Sequence, residues 1–140
     1  MSYRNWLKQA SDANLRVRNF IDGRYSDKNS GDSLIEKYSP RDGRLLYQFG
    51  VGSPLDTEQA VSSAKLAFHK GHWRRLPVHQ RKAVLYKLAD LVEAHKEEFA
   101  LYECLDVGKP ISKALGDDIP RVIRYLRSNA EMADKLFSPA

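Results

Sequence analysis

The chain has 140 residues, with 23 Lys and Arg against 18 Asp and Glu, and its net charge is +5 when the histidines are neutral. This length can bury an ordinary core, and the single cysteine excludes an internal disulfide framework. We find no apolar run of about 18 residues and no signal segment after Met1, so we expect a cytoplasmic protein without a membrane partner. Basic and acidic residues are mixed, so the basic stretch 69–82 is interpreted as a solvated face and no nucleic-acid partner is expected.

The first third of the chain predicts short strands. Residues 1–18 are polar without a sustained period, which favours a loose arm with at most one helical turn around Trp6 and Leu7. The stretch NFIDGRYSD (19–27) has strand formers on both sides of Asp22-Gly23, a hairpin signal. Two further strands are predicted in LIEKYSP and RLLYQFGVG, joined by a PRDG turn. Together these strands predict a small antiparallel meander.

Helical signals begin at Ser53. Ser53 as N-cap, Pro54 at the first helical position and Asp56 at the third predict a capping box. This helix is expected to end at Lys70-Gly71, and a second helix opens at Pro77. Apolar residues recur at helical spacing in both, namely Ala60, Val61, Ala64, Ala67 and Phe68 in the first and Val84, Leu85, Leu88, Leu91 and Val92 in the second.

Two more helices are predicted in the last third. One covers about 97–107 and ends at Gly108, where a positive φ is expected. The other covers about 111–137, and Pro120 lies inside it. Pro120 either kinks this helix or opens a new segment after Asp117-Asp118.

The segment ECLDVGKP (103–110) contains the only cysteine, two carboxylates and a Gly-Lys pair, and together these groups resemble an active site. Cys104, however, lies on the apolar stripe of a helix, near its C-terminal end. The helix dipole there has the wrong sign to stabilise a thiolate, and Glu103 and Asp106 add negative charge. We therefore expect a packed thiol with a raised pKa and not a nucleophile.

Other motifs are incomplete. Gly50 and Gly52 stand between a strand and a helix, as in a dinucleotide-binding turn, but Leu55 occupies the position of the third glycine. The Gly108-Lys109 pair lacks the rest of a phosphate loop. None of the four histidines has the neighbours that would complete a zinc site or a catalytic triad. The residues alone thus predict a strand-then-helix unit without a convincing active site.

The order of these signals resembles the N-terminal part of an aldehyde dehydrogenase. The matching pieces are NFIDGRYSD, KYSPRDGRLL, AVSSAKLAF, the long run from WRRLPVHQRKAVL to CLDVGKP, and DDIPRVIRYLR, which together span 19 to about 137. The most specific positions are Trp73, Arg81, Leu85, Leu88, Ala89, Glu103, Asp106 and Gly108-Lys109-Pro110. The run from RKAVL to DDIP looks most like the γ-glutamyl-aminobutyraldehyde type that acts in putrescine breakdown.

The resemblance implies NAD(P)-dependent oxidation of an aldehyde, here an aminoaldehyde, to a carboxylic acid. In that family a cysteine thiolate attacks the carbonyl, a hydride leaves to the nicotinamide, and a glutamate activates the hydrolytic water. This chain lacks the family's G-Q-x-C, E-L-G-G-K and P-W-N-F-P segments. No residue of the chain is therefore assigned to catalysis or to cofactor binding, and Cys104 corresponds to a position without a catalytic role in the family.

The resemblance also implies an α/β fold of the aldehyde dehydrogenase type, of which this chain alone contributes an antiparallel strand meander and about four helices. Residues 1–18 are expected to form the arm, and 19–140 an incomplete N-terminal part of the NAD(P)-binding domain. NAD or NADP would serve the complete enzyme, while no cofactor is expected for this chain alone. We expect a homo-oligomer, or self-association of the isolated chain, which is expected to be inactive.

One site could lie within the chain. Some family members bind a monovalent cation through backbone carbonyls before the proline of the second strand and through the aspartate of the ECLD segment. These positions correspond to Lys37, Tyr38 and Asp106, although Asp106 could instead make local hydrogen bonds at its helix end. A second hypothesis for the whole chain is a non-catalytic helical interaction or regulatory module derived from the same family.

Overall fold

The computed structural model describes residues 3–25 and 33–135 of the chain. These residues belong to two compact units, of which one runs to Arg74 and the other begins at Arg75. The first unit contains short antiparallel strands and two helices, and the second consists of helices. This order of elements confirms the predicted fold class.

The first helix, α1 (Tyr3–Asp12), occupies the segment that the sequence assigned to a loose arm. The prediction of at most one helical turn is wrong, because the helix has ten residues. Nη2 of Arg44 donates a hydrogen bond of 3.0 Å to the carbonyl of Ala10. That carbonyl belongs to the last turn of the helix, where carbonyls have no partner within the helix. The partner lies 34 residues away, so a local pattern could not reveal it.

The first hairpin pairs β1 (Phe20–Ile21) with β2 (Arg24–Tyr25). Its turn is Asp22-Gly23, as predicted, and both residues have positive φ, at 52° and 74°. Two consecutive positive φ values are typical of a type I′ turn, which matches the twist of the strands. The rings of Phe20 and Tyr25 meet edge to face across the hairpin, with their centroids 4.9 Å apart. Residues 26 and 27 of the predicted strand lie outside the described residues.

The second hairpin pairs β3 (Leu34–Tyr38) with β4 (Leu45–Gly50), with an irregularity of register between Lys37 and Tyr38. Gly43 has a φ of 71° in the connecting turn. Among the described strands, the two hairpins form separate two-stranded sheets and not one continuous meander. Local turn residues predict each hairpin, but pairing between hairpins depends on contacts that are distant in sequence.

Helix α2 (Pro54–Lys70) begins as predicted. Oγ of Ser53 accepts a hydrogen bond from the backbone N–H of Asp56, and the Asp56 carboxylate accepts one from the N–H of Ser53 at 2.7 Å. These reciprocal bonds satisfy two donors at the helix N-terminus. The helix ends at Gly71, whose N–H bonds to the carbonyl of Ala67.

A short 3₁₀ turn at Trp73–Arg75 precedes α3 (Val78–Ala94) and α4 (Lys96–Val107). Gly108 follows α4 with a φ of 76°, which confirms the predicted left-handed cap. Its N–H bonds to the carbonyl of Cys104 at 3.0 Å. A residue with a Cβ is disfavoured in this conformation, and so the glycine fixes the end of the helix.

The last helical stretch is divided. A single turn, α5 (Ile111–Lys113), leads through a π-helical turn (Ala114–Asp118) into α6 (Ile119–Met132). Pro120 lies in the first turn of α6, so of the two alternatives it opens a new segment. Proline has no N–H to continue the preceding α-helical bonds, and a local π turn accommodates the change. Residues 136 and 137 of the predicted helix lie outside the described part of the chain.

The hydrophobic core lies in the second unit. Its buried members come from α3, α4, the π turn and α6, and are Ala89, Ala100, Ala114, Ile119 and Ile123. Three of these five are alanines, so the helices approach closely but bury little side-chain volume. The antiparallel approach of α3 and α6 is also held by polar pairs, in which Arg127 bonds to Asp90 at 2.9 Å and to Glu93 at 2.7 Å.

Candidate functional site

The thiol of Cys104 is half-buried and packs against the core of the second unit. Burial raises the pKa of Cys104, and the negative charge of Glu103 raises it further. Asp118 acts in the same direction, while the ammonium of Lys109 opposes them. A raised pKa keeps the thiol protonated near neutral pH, which argues against a nucleophile. The direction agrees with the expectation from the sequence, although the second carboxylate that raises this pKa is Asp118, where the sequence suggested Asp106.

Lys109, the lysine of the Gly-Lys pair, makes a local ionic contact. Its Nζ donates to Oδ2 of Asp118 at 2.7 Å and to Oε1 of Glu103 at 3.2 Å. The hydrogen bond to Asp118, followed by that to Glu103, raises the pKa of Lys109. The lysine thus connects the end of α4 to the π turn. Asp118 was not foreseen as its partner, although the DDIP sequence marked a helix boundary at that position.

The residues assigned to a cation site lie in different units. Lys37 and Tyr38 belong to β3 in the first unit, and Asp106 lies in the last turn of α4 in the second. The irregularity of register in the hairpin falls between Lys37 and Tyr38, the two residues whose carbonyls the resemblance selects. The hydroxyl of Tyr38 donates to the carboxylate of Glu36, so it is engaged within the strand. The cation set remains a prediction.

No cluster of three or more His, Cys, Asp or Glu side chains suited to a metal ion occurs among residues 3–25 and 33–135. Within the same ranges, no helix combines the length and the apolar character that crossing a bilayer requires.

The turn before α2 does not fit the phosphates of a dinucleotide. Its glycines, Gly50 and Gly52, precede a helix whose first turn is occupied by the Ser53–Asp56 capping box. The hydroxyl of Ser53 already accepts the N–H of Asp56, and the carboxylate places a negative charge where a phosphate would bind. An anion at this position would be repelled. The capping box thus occupies the helix N-terminus at this strand-to-helix turn.

A cavity of about 440 Å³ lies between the first hairpin and α2 in the first unit. Its polar wall includes Asp22, Arg24 and Ser63. Oγ of Ser63 donates to Oδ1 of Asp22 at 3.0 Å and so joins the hairpin to the helix. The carboxylate of Asp56, which also lines the cavity, belongs to the capping box. This arrangement fixes the hairpin against the helix.

A second concavity, of about 330 Å³, lies between α3 and α4 in the second unit. Apolar side chains form most of its lining, and Glu98 and His95 lie at its rim. We call it the α3–α4 groove, and its apolar members are Leu88, Leu91, Val92, Phe99 and Tyr102. Since most of its lining is apolar, the groove is suited to act as a contact surface.

Comparison with known proteins gives a consistent result. The profile of the aldehyde dehydrogenase family matches residues 25–139 of the chain. The NADP/NAD-dependent aldehyde dehydrogenase PuuC of Escherichia coli is 40% identical over 94% of this chain, and the match covers 26% of that protein. Aminoacetaldehyde dehydrogenase of Pseudomonas aeruginosa is 38% identical over 98% of this chain and is covered to 27%.

A solved structure supports the same assignment. The γ-glutamyl-γ-aminobutyraldehyde dehydrogenase of Burkholderia cenocepacia superposes with a TM-score of 0.90 at 34% identity, covering all of this chain and 29% of that protein. The chain therefore spans about a quarter of the length of the relatives that it matches.

Proposed function

Since the chain belongs to the aldehyde dehydrogenase family, we propose that it forms the N-terminal part of the NAD(P)-binding domain of an enzyme that oxidises an aldehyde to a carboxylic acid. In this proposal residues 1–18 are the N-terminal arm and 19–140 are the incomplete domain. The nucleophile, the general base and the residues that bind the dinucleotide come from the rest of the enzyme. The chain alone then neither binds NAD(P) usefully nor oxidises aldehydes.

The exposure of large apolar side chains is the observation that carries this proposal. Helix α2 has no buried residue, and α3 buries only Ala89. No large side chain is fully buried among the described residues. Apolar surface of this extent favours association with further protein. These exposed apolar faces are expected if the chain is one part of a larger domain, because the apolar stripe of a helix normally packs against other protein.

We propose an aminoaldehyde as the substrate of the complete enzyme. Two of the similar proteins are named for aldehydes that carry an amino or amido nitrogen, aminoacetaldehyde and γ-glutamyl-γ-aminobutyraldehyde. Either NAD or NADP fits the family, and the PuuC relative is named for both. The proposal places the enzyme in the cytoplasm as a homo-oligomer.

The cation site is part of the same proposal. In the complete enzyme, the carbonyls of Lys37 and Tyr38 and the carboxylate of Asp106 would hold a monovalent cation. The irregular register at Lys37 and Tyr38 supports it, because a bulge takes backbone groups out of the regular ladder. Oxygen ligands of this type suit hard cations.

A chimera tests the proposed function directly. The matched segment of the E. coli PuuC relative is replaced by this chain, and aldehyde-dependent formation of NADH or NADPH is measured. We expect the chimera to turn over, while the same relative without the segment and the isolated 140-residue chain do not. An insoluble or inactive chimera, prepared beside an active unmodified relative, would contradict the proposal, as would turnover by the isolated chain.

The alternative function is a non-catalytic interaction module. The exposed apolar helix faces also suit a module that binds another protein. This alternative predicts a stable isolated chain and an inactive chimera, so the same experiment distinguishes the two.

A further inference from the structure

The tripeptide Asp-Gly-Arg occurs twice in the chain, at 22–24 and at 42–44. Both copies lie in hairpin turns of the first unit, and their aspartates and glycines are exposed. Where glycine follows aspartate, the backbone nitrogen can approach the side-chain carboxyl group closely, because glycine has no Cβ to hinder it. Since the two copies share this local sequence, a difference in their reactivity must come from the fold.

The reaction available to such a pair is a rearrangement of the backbone through a succinimide. The glycine nitrogen forms a bond to Cγ of the aspartate, and the carboxyl OH and the proton of that nitrogen leave as water. Water then breaks the original peptide bond between the aspartate carbonyl and the glycine nitrogen, so the chain continues through Cγ as isoaspartate. One molecule of water leaves and one returns, and no oxidant, reductant or cofactor is consumed. Ring closure requires a protonated carboxyl group and a glycine nitrogen that is free to move.

In the second of the two turns, hydrogen bonds hold both reacting groups. The N–H of Gly43 donates to the carbonyl of Ser39 at 2.9 Å, and the N–H of Ser39 donates to the carbonyl of Arg44 at 2.8 Å. A hydrogen bond from Ser39, followed by contacts with Arg41 and Arg44, lowers the pKa of Asp42. The carboxyl group is therefore protonated less often, and the attacking nitrogen is kept in a turn bond.

In the first turn, the glycine nitrogen is not held in this way. The N–H of Gly23 makes no hydrogen bond within residues 3–25 and 33–135. The strands beside this turn have two residues each, whereas those of the second hairpin have five and six, and so short a ladder opens more readily. The carboxylate of Asp22 is held by Oγ of Ser63, which donates to Oδ1 at 3.0 Å.

We propose that Asp22-Gly23 is the site at which the folded chain converts aspartate to isoaspartate, while the turn at Asp42-Gly43 protects the second copy. The rearrangement places Cγ in the backbone and leaves the former main-chain carbonyl as a free α-carboxylate. The hydroxyl of Ser63, which joins the hairpin to α2, thereby loses its carboxylate acceptor. The new α-carboxylate accepts a methyl group from S-adenosylmethionine, so the modified chain becomes a substrate for a repair enzyme of the isoaspartate methyltransferase class.

Incubation of the purified chain in neutral buffer tests this inference. A purified isoaspartate methyltransferase with labelled S-adenosylmethionine counts the isoaspartate, and peptide mapping by electron-transfer mass spectrometry assigns it to Asp22 or Asp42. We expect isoaspartate to form at Asp22 about fivefold faster or more, since breaking one backbone hydrogen bond changes an equilibrium by about this factor. Equal rates at the two positions, or a faster rate at Asp42, would overturn the inference.

The same incubation in urea separates the fold from the local sequence. Once the turns are lost, the two copies should react at similar rates, because both are Asp-Gly-Arg. A preference for Asp22 that persists unchanged in urea would show that the neighbouring residues cause it, and the inference would fall.

Two matched variants locate the reaction independently. Asp22→Glu and Asp42→Glu each lengthen the side chain by one methylene, so the five-membered ring cannot form at the substituted position. We expect methyl incorporation to fall to a small fraction in Asp22→Glu and to stay nearly unchanged in Asp42→Glu. Retained incorporation in Asp22→Glu would place the isoaspartate elsewhere and contradict the proposal. The comparison within the unmodified chain does not depend on the folding of either variant.

Discussion

The two units of the chain are stabilised by different kinds of interaction. In the first unit, local chemistry defines the elements, as in the Asp22-Gly23 turn and the Ser53–Asp56 capping box, and the side chains of α2 remain exposed. In the second unit, α3, α4 and α6 pack around a common core that contains Ile119 and Ile123. The difference teaches that well-formed elements do not require a core of their own, because turns and caps act within a few residues.

The same comparison separates two sources of stability. Removing a cap weakens one helix end, whereas removing a core side chain affects every helix that contacts it. We therefore expect the larger effects in the second unit and the smaller ones in the first.

The largest effect is expected at Ile123. Its side chain is 7% exposed and lies in the core of the second unit. Ile123→Ala removes buried methyl and methylene groups and leaves a cavity, which should lower the free energy of unfolding by about 2–4 kcal/mol. Urea denaturation of the chain, or of the chimera, followed by far-UV circular dichroism measures the change.

The neighbouring residue provides the control for this prediction. Val122 is 45% exposed on the same helix, so Val122→Ala should change the free energy of unfolding by at most about 0.5 kcal/mol. Similar losses for the two variants would mean that α6 does not bury the Ile123 face as described.

Much of this organisation could be predicted from local sequence. Ser53, Pro54 and Asp56 are spaced as a capping box requires, and Gly108 stands where a helix needs a left-handed residue. Each of these features depends on groups within about four residues of each other, so the local sequence is enough to predict it. The same is true of the first hairpin.

The features that could not be predicted depend on distant partners. Helix α1 receives its hydrogen bond from Arg44, and Lys109 selects Asp118 across the end of a helix. The π turn before Pro120 is one of two ways to accommodate a proline, and the sequence favours neither. The candidate cation set illustrates the same limit, since about half of the chain separates Asp106 from Lys37.

An intermediate effect is expected at Ser53. Ser53→Ala removes the side chain that accepts the N–H of Asp56, and this should cost about 1 kcal/mol of helix stability. Because no side chain of α2 is buried, little packing compensates for the loss. Helicity by circular dichroism and amide exchange in the first turn of α2 measure it.

The matched control for the cap is Ser62→Ala. Ser62 is an exposed residue inside α2, where alanine is the better helix former, so this change should leave the helix as stable or slightly more stable. If both serine variants lost the same helix stability, the cap would not be the cause of the loss. The contrast between local stabilisation in the first unit and core packing in the second would then be weaker.

The smallest effect on stability, and the most direct one on chemistry, is expected at Cys104. Burial, followed by the charge of Glu103, raises the pKa of its thiol. The folded chain then has less thiolate at about pH 7 than the unfolded chain, so iodoacetamide should label it more slowly than it labels the chain in urea. The rate should keep rising as the pH increases above the ordinary cysteine value of about 8.5.

Charge variants of the ECLDVGKP segment give the sign of each contribution to this reactivity. Glu103→Gln removes a charge that raises the pKa of Cys104, so the pH–rate profile should move to lower pH. Lys109→Gln removes the cation that lowers this pKa, so the profile should move to higher pH.

Because the thiol is half-buried, Cys104→Ala should lower the free energy of unfolding by at most about 1 kcal/mol. Rapid labelling that is constant below about pH 8 would instead reveal a stabilised thiolate. Cys104 would then be a reactive group. An unreactive, packed core would no longer distinguish the second unit from the first unit.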